Sequence, residues 1–163
     1  MTVDVPSAMR DESECYSVPD HQEIYLDEAT RDTLIVEIVQ HNPGAPDEVC
    51  RLYVSDLAQL NDASTSDFVC DQFFEGLEAT PALLDGCNDP RLRETSRALT
   101  CSCVMNMPKD GRVCIRMLVI QLPVVEADVI ISVKGQSWEG SVKEVFETLK
   151  ETFRIHDSGL FFG

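Results

Sequence analysis

Two stretches in the C-terminal half of the chain constrain its fold more than anything else. Arg112–Leu122 (RVCIRMLVIQL) and Ala127–Val133 (ADVIISV) are apolar at nearly every position. A strand with one wet face alternates between apolar and polar residues. These two do not alternate, so both of their faces need cover from other elements. The sequence offers two helices for that purpose. The first runs from Pro46 to about Leu60, with Val49, Leu52, Tyr53, Leu57 and Leu60 on one apolar stripe. Pro46 suits its first turn, and Asp47 and Glu48 suit the positive end of its dipole. The second runs from Ser141 to about Arg154. Ser141 and Glu144 have capping-box spacing, and Val142, Val145, Phe146, Leu149 and Phe153 form the buried stripe.

Shorter strand patterns surround the dry pair. Glu23–Asp27 and Leu34–Gln40 are joined by a tight polar connection at Asp27–Asp32, and His41-Asn42-Pro43-Gly44 stops the second of them. Asp67–Leu77 and Ala98–Met107 add two more, with Pro108–Gly111 as the hairpin turn into Arg112–Leu122. The first fifteen residues read as a short extended piece around Val3–Val5 followed by an acidic turn, and are the part expected to move most. The economical solution is a three-layer α/β/α sandwich (α+β class). It has five or six mostly antiparallel strands flanked by two helices, in a single domain over residues 1–163.

Charge narrows the function. The 163 residues carry a net −16, and residues 1–37 hold ten carboxylates against Arg10 and Arg31. Such a field repels phosphates and favours a basic protein partner over nucleic acid. A hydrophobic content of 44% is too high for a disordered acidic chain. No apolar run approaches the ~20 residues of a membrane helix, and the N-terminus lacks the charged and apolar regions of a secretion signal. Seven scattered cysteines without a CxxC pair point to free thiols in a reducing compartment. Cys101 and Cys103, two apart on a strand, share a face. A zinc site would need more converging ligands than His21, His41 and His156 readily supply. There is no nucleophile elbow, P-loop or GxGxxG, so the sequence supports a binding protein rather than an enzyme.

Four segments, in order, carry a family resemblance. They are Val18-Pro19-Asp20-His21-Gln22-Glu23-Ile24-Tyr25; Leu34-Ile35-Val36-Glu37-Ile38-Val39-Gln40; Leu122-Pro123 with Asp128-Val129-Ile130-Ile131; and His156-Asp157-Ser158-Gly159-Leu160-Phe161. Together they resemble the Ran guanine nucleotide release factor (Mog-one) family across about residues 5–161. The resemblance implies a Mog/PsbP-like fold, a curved antiparallel sheet flanked by helices. It implies a monomer that binds the GTPase Ran, promotes guanine nucleotide release and supports nuclear protein import, in nucleus and cytoplasm, with no cofactor or metal. The alternative is an acidic adaptor of the same fold that binds another basic protein without exchange activity.

In the family a pair of acids on the second segment is tied to Ran binding. The first maps onto Glu37 and the second onto Gln40, where the charge is lost. The family's glycine-rich entry segment is absent, Val5–Met9 stands loosely where its next motif would be, and its Arg before Leu-Pro is Gln121. Asp20 and Glu23, flanking the turn of the first segment, complete the candidate partner-binding set of Asp20, Glu23, Glu37 and Gln40.

Each candidate has a plain structural reading beside the functional one. Glu37 would be a solvent-facing residue on an edge strand, or a carboxylate paired with Arg116. Asp20 would order its own turn. Residues three apart on a regular strand point to opposite faces, so Glu37 and Gln40 meet one partner only if the strand bends or ends nearby. Arg116 and Asp128, in the dry strands, need pairing with each other or with neighbours. His156 and Asp157 read as a cap on the last helix.

Overall fold

The computed structural model describes residues 1–13, 18–75, 84, 89–156 and 158–161, with 72–75, 141, 158 and 160 by backbone alone. Cys15, Cys87, Glu14, Asp157 and Phe162 lie outside the described residues. Among the described residues, seven antiparallel strands form one open sheet: β1 (Met9–Asp11), β2 (Gln22–Asp27), β3 (Thr33–Gln40), β4 (Ser64–Glu75), β5 (Arg97–Met107), β6 (Gly111–Leu122) and β7 (Ala127–Gly135). Their order across the sheet is β1-β2-β3-β7-β6-β5-β4. The two dry strands, β6 and β7, therefore sit at the middle. Apart from the polar start of β6, they are buried along nearly their whole length, as their composition requires.

Helices α1 (Pro46–Leu60) and α3 (Ser141–Thr152) lie on opposite faces, each over its own apolar cluster. On the α3 face Val142, Val145, Phe146, Leu149 and Phe153 pack against Leu34, Val36, Leu118, Ile120, Ile131 and Val133. On the other face Val49, Cys50, Tyr53, Val54 and Ala58 of α1 meet Leu99, Cys101, Cys103, Met105, Ile115 and Met117. Cys101 and Cys103 share that face, and the thiols of Cys50, Cys70, Cys101, Cys103 and Cys114 are free.

Several expectations need correction. A seventh strand, β1, pairs with β2 in the segment read as an acidic turn (Met9 opposite Asp27). A short helix, α2 (Pro90–Thr95), starts at Pro90 behind an Asp89 side chain that accepts from the Arg91 amide at 3.0 Å. Gly140, not Ser141, is the N-cap of α3, and as glycine it brings no side chain to cap the helix. His156 does not cap α3. Its Nε2 lies 2.7 Å from the Thr2 hydroxyl, and Thr2 and Arg154 exchange backbone hydrogen bonds at 2.9 and 2.8 Å. The N-terminal piece is thus stitched to the chain after α3, with Val3 and Val5 packed on the α3-side core.

Close packing at the start of α3 depends on Gly135. A Cβ there would come within 2.2 Å of Val142 Cγ2 and 2.5 Å of Asp32 Oδ1. The connection before β3 follows local turn chemistry. Asp27 Oδ1 accepts from the amides of Ala29 (2.8 Å) and Thr30 (3.2 Å), and Arg31 closes the turn at φ 65.

Candidate functional site

The apolar stripe of α1 is wider than the core beneath it. Leu52 and Leu60, expected in the buried stripe, are 39% and 85% exposed. They are two of the few large apolar side chains left in solvent among the described residues, and both face one cleft. That cleft, about 480 Å³, lies between α1 and the strands β2, β3, β7 and β6. Its floor is Ile35, Met117 and Ile130, and its polar lining includes Gln22, Glu37, Gln40, Asp56 and Ser132. It exists because α1 packs mainly across β4 and β5 and covers the β2–β3 side of the sheet only in part.

Glu37 occupies the cleft wall on β3, opposite Ile130 of β7 and Gln22 of β2. Strand β3 is flanked on both sides, so the edge-strand reading of Glu37 fails. The Arg116 pairing fails for a geometric reason. Arg116 stands opposite Val133, five positions from Asp128, and so lies on the α3 face. There it meets Glu147 at 3.7 Å and lies over the Phe146 ring. Glu37 accepts instead from the neutral Gln22 side chain at 3.2 Å. Burial raises its carboxyl above the ordinary value. His21 and the Gln22 hydrogen bond pull it part of the way back, and the Asp56 carboxylate on α1 pushes it up again. Among the described residues no Lys or Arg pairs with it.

Gln40 reaches the same cleft although it sits three residues on. The β3 ladder ends at Gln40 opposite Ala127, and the exposed side chain stands at the mouth. The other two candidates lie elsewhere. Asp20 is exposed in the turn before β2 and borders a separate pocket with His21, Gln40 and Phe161. Glu23 points to the opposite face from Gln22 and accepts from the Tyr25 hydroxyl at 3.0 Å. Burial, reinforced by that bond, pushes the Tyr25 phenol up to about 12. The cleft thus brings Glu37 and Gln40 together and leaves Asp20 and Glu23 apart.

The acid-rich segment as a whole does not form one face. Asp11 and Asp27 bond backbone amides of their own turns, Glu28 pairs with Arg10 at 3.5 Å, and Asp32 is buried. What faces the cleft is the smaller pair Glu37 and Asp56. Reading the sequence passed over Asp56 and assigned Leu52 and Leu60 to the core. Their signal was present: an apolar helix stripe too broad for one buried face, with an acid in its middle.

A buried polar network frames one end of the cleft. Asp128, with no exposed surface, accepts from His41 Nδ1 (2.7 Å), the Asn42 amide (3.2 Å) and the Tyr53 hydroxyl. Gln121, opposite Asp128 on β6, donates to the Asn42 carbonyl at 2.7 Å. Burial and the Asp128 carboxylate push the Tyr53 phenol far up, so it stays a donor. Asp128 therefore has the neighbouring partners that its burial demands, and Arg116 is not one of them. The network ties α1 to the end of β3 and the start of β7 at one end of the cleft. Among the described residues, no group of three His, Cys, Asp or Glu side chains is placed to hold a metal ion.

The family model for the Ran-interacting Mog1 protein matches residues 1–136, a span from β1 through β7 that includes the whole cleft. No curated protein matches the chain in sequence. Among solved structures, the chain is similar to the Ran-binding protein Mog1p of Saccharomyces cerevisiae. The TM-score is 0.65 and the identity 20%, over 96% of this chain and 90% of that one. A point mutant of Mog1 with a glutamate changed to alanine gives a TM-score of 0.62 and 19% identity over the same shares. Cyanobacterial PsbP from Synechocystis gives 0.55 and 12%, over 90% of this chain and 81% of that one. These likenesses carry the fold, and the family match over most of the 163 residues carries the kinship: the chain belongs to the family of Ran-interacting Mog1 proteins.

Proposed function

We propose that this protein binds the GTPase Ran through the cleft between α1 and β3 and promotes release of its guanine nucleotide. In this reading it acts as a monomeric binding protein, not an enzyme, and supports nuclear protein import from both nucleus and cytoplasm. The observation that carries the reading is the state of Glu37. Its carboxylate is half-buried, raised by desolvation and, among the described residues, hydrogen-bonded only by the neutral Gln22 amide. A basic side chain supplied by a partner would complete it, and the uncovered Leu52 and Leu60 would add apolar contact.

Release requires that the chain bind nucleotide-free Ran more tightly than loaded Ran. The coupling is reciprocal, so a thousandfold weakening of nucleotide corresponds to about 4 kcal/mol of differential binding. Glu37 would contribute by drawing away a basic side chain that otherwise holds phosphate.

The test is the rate of fluorescent GDP release from Ran, alone, with the chain, and with Glu37→Lys. Acceleration by the chain that Glu37→Lys abolishes supports the proposal. Unchanged release with both removes the exchange activity. Binding without acceleration would leave the adaptor reading, in which the same cleft holds a basic partner and nothing more.

A further inference from the structure

The cleft is one part of a longer trough. A cavity of about 60 Å³ and another of about 340 Å³ continue it along β3, and all three share Ile35. Together they follow the uncovered face of β2 and β3, floored by Ile24, Leu26, Ile35 and Val39, none of them fully buried. Leu57 and Asn61 of the α1 end form the opposite wall. In a three-layer sandwich this is the place of a second helix beside α1, and the described residues supply none.

The two ends of the trough differ in charge. Glu37 and Asp56 stand at one end. Arg31 and Lys134 stand at the other, with Asp110 bonded to Lys134 at 2.7 Å and still leaving an excess of positive charge. Lys134 lies opposite Thr33, four residues before Glu37 on β3, so the two ends are about 13 Å apart along the strand. Arg31 is held at φ 65, a conformation that bulky residues rarely adopt, and its side chain lines the trough.

We propose that the trough seats an amphipathic α-helix of the partner, taking the place of the missing helix. Its apolar face lies on Ile24, Ile35 and Leu60. A Lys or Arg on it meets Glu37 and Asp56, and an Asp or Glu meets Arg31 and Lys134. At 1.5 Å per residue, about 13 Å places those two charges roughly seven to nine residues apart on the helix. Apolar surface supplies the contact, and the opposed charges set which segments are accepted. This deepens the proposed function and rests on the reading that the cleft meets Ran.

Two arms separate the inferences. In the first, fluorescence polarisation measures binding of a labelled 14-residue helical peptide with Leu anchors and a Lys and a Glu seven residues apart on its apolar face. A matched Glu/Glu peptide serves as control. The Lys/Glu peptide is expected to bind at least tenfold tighter than the control, and to lose at least tenfold on Leu60→Arg, a position too exposed to disturb folding. Equal affinity of the two peptides, no binding, or binding indifferent to Leu60→Arg overturns the helix. In the second arm, Ran is titrated against wild type and Arg31→Glu/Lys134→Glu. A tenfold weakening, with the Lys/Glu peptide competing, supports the helix. Ran binding that ignores both overturns it while leaving the Ran reading intact. Selective peptide binding without Ran binding sinks the Ran reading and keeps the trough.

Discussion

Strand β3 shows two different environments on its two faces. Leu34 and Val36, pointing toward α3, are 0% and 4% exposed. Thr33, Ile35, Glu37 and Val39, pointing the other way, are each only partly buried. The residue types are similar, and the difference lies in what covers them. On one side α3, with the N-terminal segment stitched to its end, closes over the sheet. On the other, α1 packs mainly across β4 and β5 and leaves β2 and β3 only partly covered. A fold gains about 25 cal/mol for each Å² of apolar surface it hides, so a sheet half-face left open forgoes stability. The open half is also where Glu37, Asp56 and two exposed leucines gather. The covered parts of both faces hold the molecule together, and the uncovered half-face over β2 and β3 stays accessible.

The contrast can be broken by mutation. The largest effect belongs to the tie that holds α1 at its distance. Asp128→Ala leaves His41, Tyr53 and the Asn42 amide without their acceptor, and should cost about 3–5 kcal/mol in urea unfolding. Next come neighbours on the two faces. Leu34→Ala should cost about 2–5 kcal/mol, and Ile35→Ala half of that or less because much of its surface is already wet. Equal costs would mean the faces do not differ. Leu60→Asp should change stability by no more than about 0.5 kcal/mol while weakening Ran binding at least tenfold, read by calorimetry.

The smallest effect is a pH dependence. Burial raises Glu37 above its ordinary 4.5, so the stability this group contributes is complete below 4.5 and is lost as pH rises through the folded value. Glu37→Gln removes that loss. It should melt above the wild type at pH 7, with the two melting curves converging below about pH 4.

Much of this was legible in the chain. The dry pair β6 and β7 identified the centre of the sheet, because unbroken apolar runs admit no wet face. Helix α1 was read to its ends, since Pro46 suits a first turn and the apolar stripe runs out at Leu60. What failed was whatever depended on a distant neighbour. The breadth of the α1 stripe signals that part of it stays uncovered, but which leucines those are turns on where α1 docks. Arg116 and Asp128 invited pairing by charge, but the odd spacing between Val133 and Asp128 puts them on opposite faces. The candidate site was half legible. The resemblance paired Glu37 with Gln40 although strand alternation sets them on opposite faces, and the end of β3 at Gln40 lets both reach one cleft. Asp20 and Glu23 could not be placed, because the turn before β2 decides the face each one takes.

The most direct test of the central claim is a methyl NMR titration of this protein with Ran. Shifts are expected at Ile24, Leu26, Ile35, Leu57 and Leu60, on the open half-face, and none at Val3, Val124 or Val142, on the α3 side. Shifts confined to the α3 side, with the open half-face silent, would contradict it.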